Sequence, residues 1–251
     1  MNAMRSLLGL VVLMFVAPFA DAQWGTIKGR VIFEGDAPVR PVIAKAAANP
    51  DCAACAVKGI TLEEEWVVDP KTKGVRWVIV WLQHESGDFD KKFPIHPKLA
   101  KADEKVFLDQ PCCQFEPHAL GMRTGQILVA KNSSKFGHNV NIIGGTDNPN
   151  KNVAVGSGMA MEIPGWNASP STVPVQCNIH GWMRANIRVF DHPYFAVTNE
   201  KGEFEIKDAP AGMFRLVLLH DSGYVTGGKK GIPVEIKAGG TTDLGDVKAK
   251  Q

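Results

Sequence analysis

The chain lacks several things that would direct the search elsewhere. Its 28 basic and 26 acidic residues are interspersed, leaving a net charge of only +2. There is no basic block of the kind that nucleic acid or an anionic membrane surface demands. Amphipathic helical periodicity is nearly absent, and no repeat of fixed period or low-complexity segment occurs. After the first 22 residues no apolar run approaches membrane-spanning length. Cysteines number five, an odd count, so disulfides alone cannot engage them all.

What is present begins with an export signature. Arg5 precedes an apolar run from Leu7 to Phe19, and Ala20-Asp21-Ala22 offers a small-x-small cleavage site. Residues 1–22 are therefore expected to be a signal peptide, with no transmembrane segment after its removal. A retained anchor is the alternative. The mature protein is expected to be periplasmic or otherwise extracytoplasmic, where thiols form disulfides.

The remaining 229 positions read as all-β. Short β-branched runs recur at Thr26–Phe33, Val75–Leu82, Gly125–Val129, Asn139–Ile143, Ala185–Phe190 and Phe214–Leu219, separated by turn residues such as Asn199-Glu200-Lys201-Gly202. Ile43 to Asn49 and Pro97 to Glu104 read as helical turns or loops. Three zones follow: an N-terminal β region over 23–104, a middle domain over 105–190 that holds the metal-ligand residue types, and a β region over 191–251.

The middle zone carries the chemistry. Cys177-Asn178-Ile179-His180-Gly181-Trp182-Met183 stands just before an apolar strand, and Phe136-Gly137-His138-Asn139 precedes another about 40 residues upstream. A thiolate and two imidazoles suit copper in both oxidation states, and a thioether can serve as a weak, long axial ligand. Zinc is the competing metal, although it favours a further thiolate, imidazole or carboxylate over a thioether. The alternative is structural: Cys177 in a disulfide, Met183 in the core and His180 on an exposed loop.

These residues resemble the cupredoxins. The Cys-x-x-His-x-x-Met loop is similar to that of amicyanins, and Gly-His-Asn before a strand is similar to the segment bearing the upstream ligand of azurins. The resemblance covers roughly Val106 to Phe190. It implies a Greek-key β-sandwich with one type 1 (blue) copper, His138, Cys177 and His180 as equatorial ligands and Met183 as the axial one. Asn139 would then tie the ligand loops together by hydrogen bonds. The implied function is single-electron transfer between redox partners, not catalysis. A redox partner would dock near His180 and Trp182, with His180 at the surface; alternatively, Trp182 packs inside. A copper storage, delivery or sensing protein, or an accessory subunit of a copper oxidoreductase, remains open.

The other cysteines form two pairs, Cys52-Ala53-Ala54-Cys55 and Cys112-Cys113. Each of Cys112 and Cys113 is expected to pair with one of Cys52 and Cys55, in either arrangement. A second copper held by Cys112, Cys113 and His118 is the alternative. His84, His96, His192 and His220 have no ligand spacing and read as structural or exposed.

The last zone resembles the carboxypeptidase regulatory-like, transthyretin-like sandwiches through Thr198-Asn199-Glu200-Lys201-Gly202-Glu203-Phe204 and Pro210-Ala211-Gly212. Such domains begin with a Gly-x-Val strand, and Gly29-Arg30-Val31 and Val78-Ile79-Val80-Trp81-Leu82 fit the missing pieces. The N- and C-terminal regions are therefore expected to form one small discontinuous sandwich with the cupredoxin inserted in it, serving as scaffold or adhesion module. Three consecutive units are the alternative. Trp24, Trp66, Trp77 and Trp81 are expected in cores.

Overall fold

The computed structural model describes residues 23–53 and 62–250; the leader-like segment 1–22 and Cys55 lie outside the described residues. The described chain is all-β, with sixteen strands among the described residues, none of them between Phe33 and Ile79, and its few helical segments are short. None of the helices among the described residues is long and apolar enough to cross a membrane.

Two groups of strands each enclose a core. In the first, β4 (Ala119–Arg123), β10 (Arg184–Phe190), β9 (Val173–Gln176), β6 (His138–Ile143) and β7 (Asn150–Val155) make a five-stranded sheet in that spatial order. Opposite it, β3 (Lys105–Asp109), β5 (Ile127–Lys131) and β8 (Ala160–Ile163) make a three-stranded sheet. Leu108, Leu128 and Ile163 from the smaller sheet meet Val140, Ile142, Val175 and Ile187 from the larger in one buried cluster. Period-2 alternation explains which residues point inward.

The second group joins the chain ends. β1 (Trp24–Phe33) lies between β12 (Glu203–Pro210), antiparallel, and β16 (Thr241–Ala249), parallel. β2 (Ile79–His84) lies between β11 (Phe195–Val197) and β13 (Gly212–His220), with β14 (Gly223–Tyr224) and β15 (Ile232–Ile236) also on β13. Ile27, Val31, Val80, Leu82, Phe204, Ile206, Leu216 and Val234 share its core. Phe204 and Ile206 alternate inward along β12, as their spacing implies. The turn before β12 requires glycine twice over: Gly202 has φ +75°, and a Cβ there would stand 2.1 Å from the Val31 carbonyl oxygen.

A third cluster fastens the two groups. Val80 and Leu82 of β2 face the outer core, whereas Ile79 and Trp81 face Ala119 of β4 and Phe190 of β10. β2 is therefore buried on both faces. Trp66, Trp77 and Trp81 are buried, while Trp24 is half-buried against the outer core.

Before β3 the chain makes two single-turn helices, α1 (Ala44–Ala47) and α2 (Pro50–Ala53). Asn49 starts α2: its side-chain oxygen accepts from the backbone N–H groups of Asp51 and Cys52 at 2.9 and 3.3 Å, and Pro50 suits the first helical position. The segment Pro97–Leu99 is a single 3-10 turn. Ala46 and Cys52 of these helices sit in the core of the first group.

Candidate metal centre

Four side chains named from the sequence lie at one end of the first group. His138 opens β6, Cys177 follows β9 and Met183 precedes β10. β9 and β10 pair with Gln176 opposite Arg184, so residues 177–183 are the turn of a hairpin. Its closure is local: the Cys177 N–H donates to the Met183 carbonyl at 3.2 Å, and the Met183 N–H to the His180 carbonyl at 2.8 Å. β6 pairs with β9, which brings His138 across from this turn.

Three donor atoms converge. Nδ1 of His138 lies 3.0 Å from Nδ1 of His180, and Sγ of Cys177 lies 3.9 and 3.8 Å from those two nitrogens. All three residues are 1% exposed. An ion about 2.0–2.3 Å from imidazole and thiolate donors needs a triangle of this size. The group can therefore hold a metal ion, and its two imidazoles and thiolate fit copper. Met183 is fully buried in the same core.

Electrostatics keeps the imidazoles ready to coordinate. Burial, then the neighbouring His180, pushes His138 down to about 4 against the opposing pull of the Cys112 backbone. Burial also lowers His180. Both rings are thus neutral at pH 7, the form that offers a lone pair.

Asn139 joins the two ligand-bearing segments. Its Oδ1 accepts from the backbone N–H groups of Asn178 at 2.7 Å and Ile179 at 3.2 Å, and from the Cys177 thiol at 3.2 Å. Its Nδ2 donates to Asn152 Oδ1 at 2.7 Å, which anchors it to β7. Gln110 Nε2 donates to the Asn139 carbonyl from the loop after β3.

His180 is not at the surface, contrary to the expectation from sequence. Phe136 and Trp182 flank its ring, with centroids 6.0 and 5.4 Å away. Cys52 and Cys113, which are disulfide-bonded, bring their sulfurs within 4.8 Å of a His180 ring nitrogen. The helix α2 thus covers this end of the hairpin, a packing no single-chain motif announces. Trp182 is half-buried, donating from Nε1 to the Cys113 carbonyl at 3.2 Å, whereas Ile179 is 60% exposed and, with Asn178 and Gly181, faces solvent.

The Cys52–Cys113 bridge is one of the two pairings left open by the sequence. Cys177 is the free cysteine among the described residues. A second copper on Cys112, Cys113 and His118 does not form: the Cys113 sulfur is in the bridge, and the His118 ring is taken by carboxylates on both sides. Its Nδ1 lies 3.4 Å from Glu64, and its Nε2 bonds Asp221. His118 immediately precedes β4. His84, His96, His192 and His220 are all buried. Sequence reasoning missed the carboxylate clamp because its members are 54 and 103 residues from His118, with no local signal.

No family model matches the chain, and no curated protein matches it. Among solved structures it is similar to an oxidized-state mutant of amicyanin, at 19% identity over 36% of this chain and 86% of that one, with a TM-score of 0.30. A reduced-state mutant of amicyanin gives 18% identity, 44% and 97% coverage and a TM-score of 0.30. The copper-containing nitrite reductase from Thermus scotoductus SA-01 gives 19% identity over 39% of this chain and 25% of that chain, with a TM-score of 0.32.

Proposed function

We propose that this chain is an exported blue copper protein that carries single electrons between redox partners. His138, Cys177 and His180 would be the equatorial ligands of one type 1 copper and Met183 its axial ligand. The observation that carries this reading is the convergence of two imidazole Nδ1 atoms and one thiol, each on a residue 1% exposed. Copper held there supplies a one-electron couple.

The chain's own part is to keep the donors still. Asn139 ties the 177–180 turn to β6, and Asn152 holds Asn139. Hydrogen bonds within the hairpin and the Cys52–Cys113 bridge pack the remaining side. Donors that do not move between oxidation states keep reorganisation small, which favours electron transfer. Enclosure of all three donors leaves no approach for a substrate molecule, so the reading is a carrier and not an enzyme.

A partner would dock where the turn reaches solvent. Exposed Ile143 and Ile179, together with Trp182, border a groove of about 1140 Å³ whose other wall carries Glu63, Glu64 and Asp221. Trp182, in contact with His180, would be the way out for the electron. Export is supported by the leader-like first 22 residues and by a disulfide between Cys52 and Cys113. The pairing of β1 with β12 and β16, and of β2 with β13, supports the reading that 23–104 and 191–251 serve as one scaffold around the copper-bearing segment.

Optical and EPR spectra of the mature protein after Cu(II) loading test the proposal. The expected result is an intense thiolate-to-copper band toward the red end of the visible, lost in Cys177→Ser. A protein that binds no copper, or whose spectrum ignores Cys177, would overturn it.

A further inference from the structure

At the far side of β10 from the metal hairpin, a basic residue is buried without an anion. Arg188 is 5% exposed, and its guanidinium lies 4.7 Å from the Trp81 ring centroid and 5.7 Å from that of Phe190. Nη1 donates to the Pro170 carbonyl at 2.5 Å, but Nε has no partner. No carboxylate pairs with Arg188 among the described residues; the nearby Asp191 is paired with Lys92 at 2.6 Å. Burial lowers the guanidinium to about 10, so it is still charged at pH 7. An uncompensated buried cation is costly, and a ring contact offsets only part of that cost.

The same Arg188 borders a cavity of about 190 Å³ between the two groups of strands, walled by Trp81, Phe93 and Phe190. Two imidazoles line it beside Arg188, and the exposed Asp88, Lys91 and Lys229 and the half-buried Asp191 also border it. His84 is 8% exposed, with Nε2 lacking any hydrogen-bond partner. His192 accepts from the Tyr194 N–H through Nδ1, which puts its ring proton on Nε2. Burial, first of all, holds both imidazoles in the neutral form, His192 at about 4.

We propose that this cavity binds a small organic monocarboxylate. Its carboxylate would take the unpartnered Arg188 Nε–H, with a neutral imidazole N–H as further donor, and its short apolar tail would lie against Phe93 and Trp81. The guanidinium edge matches a planar carboxylate better than a spherical anion. The space equals that of about six liquid waters, which restricts the tail to a few carbons.

The test is a titration of the mature protein with isobutyrate, and separately with its neutral isostere isobutyramide. Binding is read from the Arg188 Nε–H and Trp81 indole N–H resonances. Isobutyrate is expected to give saturable shifts at both, and the amide to bind at least about tenfold more weakly. Arg188→Gln should abolish the saturable shift at Trp81, and His84→Gln should weaken it. Equal response to acid and amide, or no saturation with isobutyrate, would overturn the proposal. That comparison needs only the wild-type protein, so it decides even if Arg188→Gln does not fold.

Discussion

Nδ1 of His138 and Nδ1 of His180 face each other at 3.0 Å in a space closed to solvent. Two neutral imidazoles whose lone pairs point at each other repel, so this approach is favourable only with a proton or another cation shared between them. The fold therefore brings together, from a strand and a hairpin turn 42 residues apart in sequence, two donors that one ion can satisfy.

Asn139→Ala should loosen that arrangement. It removes the acceptor for Asn178 N–H, Ile179 N–H and the Cys177 thiol. Leaving such donors unpaired should cost about 1–3 kcal/mol of stability in urea unfolding. Copper affinity in a competition titration should fall by about 10–100-fold. An unchanged affinity would show that the turn holds its shape without Asn139.

Replacing Cys52 and Cys113 together by alanine should lower stability by about 2–4 kcal/mol, because the bridge closes a long loop with a sequence separation of 61. The same variant should open the cover over His180. Increased reactivity of its ring toward diethyl pyrocarbonate, read by mass spectrometry on the copper-free protein, checks the second effect independently of the first.

His118 makes stability depend on alkaline pH. Burial alone would lower its pKa, but hydrogen bonds and charge from Asp221 and Glu64 outweigh it and raise the group from 6.5 to about 10. The folded value exceeds the unfolded one. Its contribution is thus complete below about pH 6.5 and disappears as pH rises through 10. Unfolding free energies between pH 6.5 and 10 should decline by about 2–4 kcal/mol from this source. In His118→Gln the decline should be much shallower.

Gly202→Ala should be far more damaging than a turn substitution at the surface. The backbone there has φ +75° and sits against the Val31 carbonyl. A loss of about 2–3 kcal/mol in thermal or urea unfolding is expected. By contrast Gly125→Ala has positive φ but open space around it, and should cost about 1 kcal/mol.

The candidate donor cluster was partly legible in the sequence because three of its members are local. Cys177, His180 and Met183 lie within seven residues on one hairpin turn, and His138 opens a strand whose alternation is plain. The all-β class was legible from the same alternation. The cover over His180 was not, since it depends on where α2 packs and on which cysteine Cys113 meets. The His118 clamp was equally hidden: Glu64 and Asp221 belong to loops that only the three-dimensional fold brings to one ring. Arg188 carries no local signal of its burial either. Its place in β10 is covered by Trp81 of β2, a contact from a strand more than 100 residues away in sequence.

That double covering of β2 has a consequence for heredity. A strand with Val80 and Leu82 in one core and Ile79 and Trp81 in the junction answers to two sets of neighbours at once. Recombination that cut the gene near residues 105 and 190, and passed on only the segment between them, would leave Ala119 and Phe190 without the surface they pack against. The two halves should therefore be inherited as a pair, and substitutions at Trp81 should be accompanied through descent by compensating changes at Phe190.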